Sequence, residues 1–239
     1  MLGLAIIGGE GPPPEILKEI ACSAASPKGD ASGVLLAAAD SGLALAEAAG
    51  LRPDWVLGDM DSLDDSQRLE KYPPDRVLSY PPDKDFSDTE LALNLLREKG
   101  CDEIWLAGGG GGRTDHLLAI HSLFERPSPP DRWFTAREEI FCLKDGHTLN
   151  SRMLVRAATC AGNFVTLRAA ARKSPVSSRV SVFPLGEGPW EAESAGLKWP
   201  LKALPWNKGF YGLSNEAETG AFEIRSVHGR FLVITASSG

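Results

Sequence analysis

The sequence predicts an α/β domain built on a doubly wound parallel sheet, followed by an all-β sandwich domain. Three observations predict it. Short apolar runs alternate with segments of helical periodicity through the first half; several of those runs end on glycine or aspartate; and beyond Pro127 to Pro130 helical periodicity gives way to brief strand-like runs between glycines and prolines. Strands alternating with helices build parallel sheets, because each crossover uses a helix to return the chain. Closely spaced strands without helices build sandwiches or jelly-rolls. The change is placed near Asn150, giving a first domain over 1–150 and a second over 151–239.

Taken in order, Leu4 to Ile7 reads as a first strand ending at Gly8-Gly9, and Pro12 to Pro14 open a helix through Glu15 to Cys22. Val34 to Ala39 is a strand ending at Asp40; Leu43 to Ala49 is a helix stopped by Gly50. Trp55 to Leu57 is a strand running into Gly58-Asp59, a helix is expected over Leu63 to Tyr72, and Arg76 to Tyr80 is strand-like. Ser87-Asp88-Thr89-Glu90 has the spacing of a capping box ahead of Leu91, Leu93, Leu95 and Leu96. Ile104 to Ala107 is a strand, followed by five glycines and a helix from Thr114 to Glu125. Further on, Ile140 to Leu143 with Asp145-Gly146 suggests a hairpin, since Asp-Gly suits a tight turn. Asn163 to Ala169, Arg179 to Pro184, Ala221 to Val227 and Arg230 to Thr235 read as short strands.

The composition bounds the function. The chain has 239 residues, 43% hydrophobic and 24% charged, ordinary for a globular protein and long enough for two small domains. Its net charge of -7 argues against general affinity for nucleic acid or anionic membrane, while leaving room for a local basic phosphate site. Cys22, Cys101, Cys142 and Cys160 lack C-x-x-C spacing and an accompanying histidine cluster, so neither a zinc site nor a disulfide framework is expected. The opening residues read as a strand rather than a signal peptide, and no stretch approaches the roughly 20 apolar residues of a membrane helix. A reducing, cytoplasmic setting is expected.

The strongest local signal is Gly58-Asp59-Met60-Asp61-Ser62, directly after a strand. Ligands in open α/β sheets bind at the carboxyl ends of strands. Two carboxylates separated by one residue on an irregular turn can face one point, and hard oxygen donors suit Mg²⁺. A solvated acidic turn is the plain alternative. Asp40 also ends a strand, where a helix N-cap would explain it. Asp88 sits in a first helical turn, where any acid complements the helix dipole. Each is weak alone; three acids at three strand-to-helix junctions lie along one sheet edge.

Gly108 to Gly112, then Arg113-Thr114-Asp115-His116, join a strand to a helix. Glycine backbone can approach phosphate oxygens, the helix N-terminus favours negative charge, and a guanidinium forks onto phosphate. Walker A spacing fails, because Ala107 stands at the first required glycine and Arg113 at the lysine; G-x-G-x-x-G spacing fails as well. A flexible turn is the alternative.

The ordered set Asp40-Ser41-Gly42, Arg52-Pro53-Asp54, Gly58-Asp59-Met60-Asp61-Ser62, Asp83-Lys84-Asp85-Phe86-Ser87-Asp88-Thr89-Glu90 and Gly111-Gly112-Arg113-Thr114-Asp115-His116 resembles the thiamine pyrophosphokinase family. Ser181-Val182-Phe183-Pro184-Leu185, Gly196-Leu197-Lys198-Trp199-Pro200-Leu201 and Gly212-Leu213-Ser214-Asn215-Glu216 resemble that family's C-terminal domain. The resemblance implies an α/β catalytic domain, a β-sandwich domain, and transfer of the pyrophosphoryl group of ATP to thiamine. It implies magnesium on Asp59, Asp61 and Asp88, with Asp40 supporting the cluster. Lys84, Arg113, Asp115 and His116, with Gly111 and Gly112, would lie around the ATP phosphates; Ser214 and Asn215 would sit at the thiamine pocket. It also implies a homodimer with active sites shared between chains. Two departures from the pattern stand out: Ile120 and His121 stand where the family usually has asparagine and isoleucine, and Ser87 where it commonly has threonine. A sensor without catalysis and a magnesium-dependent phosphohydrolase are the competing functions.

Overall fold

The computed structural model of the chain describes residues 1–24, 33–59, 66–81, 83–151, 179–218 and 221–236. The chain divides into two compact units, Met1–Leu123 with Trp133–Ala136, and Phe124–Arg132 with Arg137–Gly239.

The first unit contains β1 (Leu2–Ile6), α1 (Pro14–Ala24), β2 (Val34–Ala39), α2 (Gly42–Ala48), β3 (Trp55–Gly58), β4 (Val77–Ser79), α3 (Asp88–Glu98), β5 (Glu103–Ala107), most of α4 (Thr114–Glu125) and most of β6 (Arg132–Phe134). Its strands lie in the order β6-β5-β1-β2-β3-β4. The pairs β1/β2, β1/β5, β2/β3 and β3/β4 are parallel, with Leu4 opposite both Leu36 and Trp105. Successive strands run outward from β1 to β4, and the chain then returns to lay β5 on the other side of β1. The order therefore reverses between β1 and β5, the kind of place where open α/β sheets bind ligands.

Strands buried on both faces read as continuous apolar runs, as β1 (LGLAI) and β2 (VLLAAA) do. Leu4, Ile6, Leu17, Ile20, Trp105 and Phe134 form one core; Ala38, Leu43, Val56 and Tyr72 form another. Each fully buried leucine or isoleucine stabilises the fold by roughly 1.5–3 kcal/mol. The expected capping box is present: Ser87 Oγ accepts from Glu90 N at 3.3 Å, and Glu90 Oε2 accepts from Ser87 N at 2.9 Å. Ala92, Leu93, Leu95 and Leu96 then bury one face of α3. The helix expected over Leu63 to Tyr72 is instead a 3-10 segment, Ser66–Lys71, in the described residues. Pro73-Pro74 follow it and prevent a longer helix.

The second unit holds two antiparallel sheets. One has the order β11 (Gly212–Glu216), β9 (Arg179–Leu185), β13 (Arg230–Ala236), β7 (Glu138–Leu143); the other has β10 (Glu191–Ala195), β12 (Glu223–His228), β8 (Thr148–Asn150). Both sheets feed one core: Phe141, Val180, Val182, Phe231 and Val233 from the first, Leu149, Ala192 and Ile224 from the second. The hairpin expected around Asp145-Gly146 is corrected. The turn exists, closed by His147 N on Lys144 O at 3.0 Å, but β7 pairs with β13 and β8 with β12. Asp145 Oδ1 accepts from Gly229 N at 2.8 Å, tying this turn to the one between β12 and β13 and sending the two strands to different sheets. Strands β6, β8, β10 and β11 had no expectation. β10 (EAESA) and β11 (GLSNE) are too polar and irregular to read as strands. The strand expected over Asn163 to Ala169 lies outside the described residues.

Candidate active site

The carboxyl ends of β2, β3 and β4 adjoin one another, with Ala39 opposite Leu57 and Gly58 opposite Ser79. Asp40 leaves β2, Asp59 leaves β3, and Asp88 opens α3 beyond β4, so parallel pairing gathers three acids separated by up to 48 residues of sequence. Asp40 has φ 48, in the left-handed region that short polar side chains tolerate. Its backbone N–H donates to Leu57 O at 2.9 Å. Asp40 Oδ1 is buried without a hydrogen-bond partner, and Asp88 Oδ1 is held by the Lys84 ammonium at 2.9 Å.

The electrostatics follow from this crowding. Burial first, then the hydrogen bond and negative charge of Asp88 and the charge of Asp59, push the Asp40 carboxyl up to about 7; Lys84 opposes them. Burial pulls the Lys84 ammonium down, but the hydrogen bond and charge of Asp88, with Asp59 and Asp40 behind it, outweigh burial and leave its pKa raised. Among the described residues no three His, Cys, Asp or Glu side chains form a group that could hold a metal ion. Asp61 lies outside the described residues.

The glycine loop stands at the reversal of strand order, after β5 and beside the end of β1. Gly109 N donates to Gly8 O at 2.8 Å, and Glu10 and Gly110 exchange backbone hydrogen bonds of 2.7 and 2.9 Å. Gly108 to Gly110 are buried and stitched into the fold, whereas Gly111 and Gly112 are exposed. The run thus has two parts: three glycines that let two backbones meet, and two that stay open at its tip. Arg113 and Asp115 pair with each other at 2.5 Å while 72% and 61% exposed. The hydrogen bond from Arg113 holds the Asp115 carboxyl below the usual range. His116 is exposed, and its backbone N donates to Asp115 Oδ1 at 3.0 Å. The residues Gly8 to Glu10 are expected only as the end of the first strand and carry no functional expectation; the sheet order sets them beside the glycine loop.

In the second unit, Ser214 has φ 55 at a register shift of the β11/β9 pair, and its N–H donates to Ser181 Oγ at 3.2 Å. Asn215 is buried; its Oδ1 accepts from Trp199 N at 3.1 Å and its Nδ2 donates to Trp199 O at 2.7 Å. That amide clamps the 199 segment onto β11. Trp199, Tyr211 and Leu213 stand half exposed nearby in the chain, and Lys198 Nζ lies 4.5 Å from the Trp199 ring centroid.

Residues 31–131 match the family model described as thiamin pyrophosphokinase, catalytic domain. A thiamine pyrophosphokinase of Bacillus subtilis (strain 168) is 40% identical over 72 residues, 29% of this chain; the match spans about a third of that relative's length, 33%. Among solved structures, thiamin pyrophosphokinase from Geobacillus thermodenitrificans aligns with TM-score 0.68 at 23% identity, covering 100% of this chain and 99% of the other. That from Candida albicans aligns with TM-score 0.65 at 17% identity, covering 98% and 88%. The structural likenesses establish a shared fold, and the family match rests on the segment that carries the acidic cluster and glycine loop. Residues 31–131 are therefore similar to the catalytic domain of the thiamin pyrophosphokinase family.

Proposed function

We propose that the protein is a thiamine diphosphokinase, transferring the pyrophosphoryl group of ATP to the thiamine hydroxyl and releasing AMP. The observation that carries this reading is the gathering of Asp40, Asp59 and Asp88 around Lys84 inside the segment that matches the family's catalytic domain. Pyrophosphoryl transfer asks a protein mainly for positioning and charge neutralisation. The thiamine oxygen attacks the β-phosphorus, the bond to the α-phosphate oxygen breaks, and AMP departs.

The described acids do not by themselves form a metal-holding group, but they are of the donor type magnesium takes: carboxylate oxygens, with the Asp40 Oδ1 buried and unpartnered and the charges of Asp88, Asp59 and Asp40 all acting on Lys84. Asp59 and Asp88, with Asp61, would hold the ion, supported by Asp40. Bound there, magnesium supplies positive charge for the phosphate oxygens. The chain's own residues do the rest. Lys84 and Arg113 neutralise phosphate charge, the exposed N–H groups of Gly111 and Gly112 and the start of α4 receive phosphate oxygens, and Asp115 and His116 orient them. Asp115 releases Arg113 to the nucleotide. Asp88, held by Lys84, is the candidate acceptor of the thiamine hydroxyl proton. Ser214 and Asn215 contribute to the thiamine pocket, Asn215 by holding the backbone of Trp199.

On this reading residues 1–150 handle ATP and magnesium, and 151–239 bind thiamine and form the contact of a homodimer with shared sites. No helix among the described residues is long and apolar enough to cross a membrane; a cytoplasmic setting is part of this proposal. The test is product analysis with labelled ATP, with and without thiamine. Thiamine-dependent AMP and thiamine diphosphate are expected. ADP with thiamine monophosphate would overturn the pyrophosphoryl assignment, and phosphate release without thiamine would favour a phosphohydrolase.

A further inference from the structure

Gly109 of the glycine loop packs against two side chains, Ile7 and Ile120. In α4, Thr114, Asp115, His116, Leu118 and Ala119 are exposed and Leu117 is half buried; Ile120, 4% exposed, is the first residue the helix buries. A Cβ built on Gly109 would stand 2.4 Å from Ile120 Cδ1 and 2.8 Å from Ile7 Cδ1. The two isoleucines therefore close on the Gly109 α-carbon, Ile7 from just after β1 and Ile120 from α4. Gly109 also has φ 72, and its N–H is spent on Gly8 O.

One apolar contact thus sets two things at once. It supports the loop whose tip is Gly111-Gly112, and it is the first buried anchor of the helix that Arg113 precedes and whose opening turn carries Asp115 and His116. Backbone N–H groups select phosphate by their placement, so a loop that shifts by a fraction of an ångström loses aim at the phosphate oxygens. We propose that Ile120 is a positioning residue for nucleotide binding, acting through Gly109 on the phosphate loop without touching substrate. The inference rests on the ATP-dependent function proposed above.

Ile120→Val removes the single methyl that meets Gly109 and leaves the rest of the buried side chain in place, so folding survives. Its control is Ile20→Val, an equal deletion on α1 in the core of the same unit. Binding is read with a fluorescent ATP analogue in the presence of magnesium, and turnover as thiamine-dependent AMP release. Ile120→Val is expected to raise the analogue's Kd and the KM for ATP about threefold, and Ile120→Ala about tenfold, with the KM for thiamine moved less than about twofold. Ile20→Val should lower the melting temperature by a similar amount while leaving ATP binding alone. Equal ATP constants in Ile120→Val and Ile20→Val, or equal rises in the ATP and thiamine constants, would reduce Ile120 to an ordinary core residue and overturn the inference. A wild-type chain that binds the analogue but releases no AMP would sink the proposed reaction while the binding comparison still decided the role of Ile120. A wild-type chain that neither binds nor turns over would overturn both.

Discussion

The carboxylate of Asp40 lies against the α-carbon of Gly58: a Cβ at that glycine would stand 1.8 Å from Asp40 Oδ1 and 2.8 Å from its Cγ. Gly58 has φ 145, and Asp40 sits at φ 48 with its N–H held by Leu57. A residue at the end of β3 is thus shaped by the acid at the end of β2.

Gly58→Ala should displace that carboxylate, because the Asp40 backbone is pinned and its side chain is too short to swing clear. The backbone conformation and the overlap together are expected to cost about 1–3 kcal/mol of stability, with activity falling on the order of 100-fold. The double variant Gly58→Ala with Asp40→Ala should regain much of the stability and none of the activity. Chemical denaturation and AMP release on the three proteins check both statements.

Asp40 also makes stability depend on pH. Its folded pKa is raised above the ordinary 3.8 to about 7, so between those values the folded chain holds a proton that the unfolded chain has released. The contribution to stability is full below pH 4 and is lost as pH rises through 7. Asp40→Asn, which suits a left-handed backbone position, removes the cost of the buried charge. It is expected to raise the melting temperature at pH 8 and to change it little at pH 4, in metal-free buffer, while activity falls. Equal shifts at the two pH values would contradict the assignment.

Asp59→Asn keeps shape and removes one charge. The proposed magnesium role predicts an unchanged melting temperature without metal, a higher magnesium concentration for half-maximal activity, and turnover lowered on the order of 100-fold or more. Normal turnover with a lowered melting temperature would mark Asp59 as a turn acid.

Shared sites predict complementation. A chain carrying Asp59→Asn, mixed with one carrying Ser214→Trp to block the thiamine pocket, should form heterodimers with one doubly damaged site and one intact site, so activity returns. No recovery in heterodimers shown to have formed would refute sharing.

Much of the first unit was legible in the order of residues. Apolar runs stopped by Asp40 and Gly58-Asp59, and the capping box at Ser87 to Glu90, are local signals, because strand burial and helix capping act over a few residues. The candidate acids were legible for the same reason: each ends a strand or begins a helix. Four things were decided only by tertiary structure. The strand order that sets β5 against β1 places the glycine loop beside Gly8 and Glu10, and no local pattern encodes it. The parting of β7 and β8 to different sheets overrode an Asp-Gly turn signal, since pairing with β12 and β13 buries Phe141 and Leu149 in one core. The raised pKa of Asp40 and the fit of Ile120 against Gly109 arise from groups brought together across tens of residues, where burial and contact depend on distance in space.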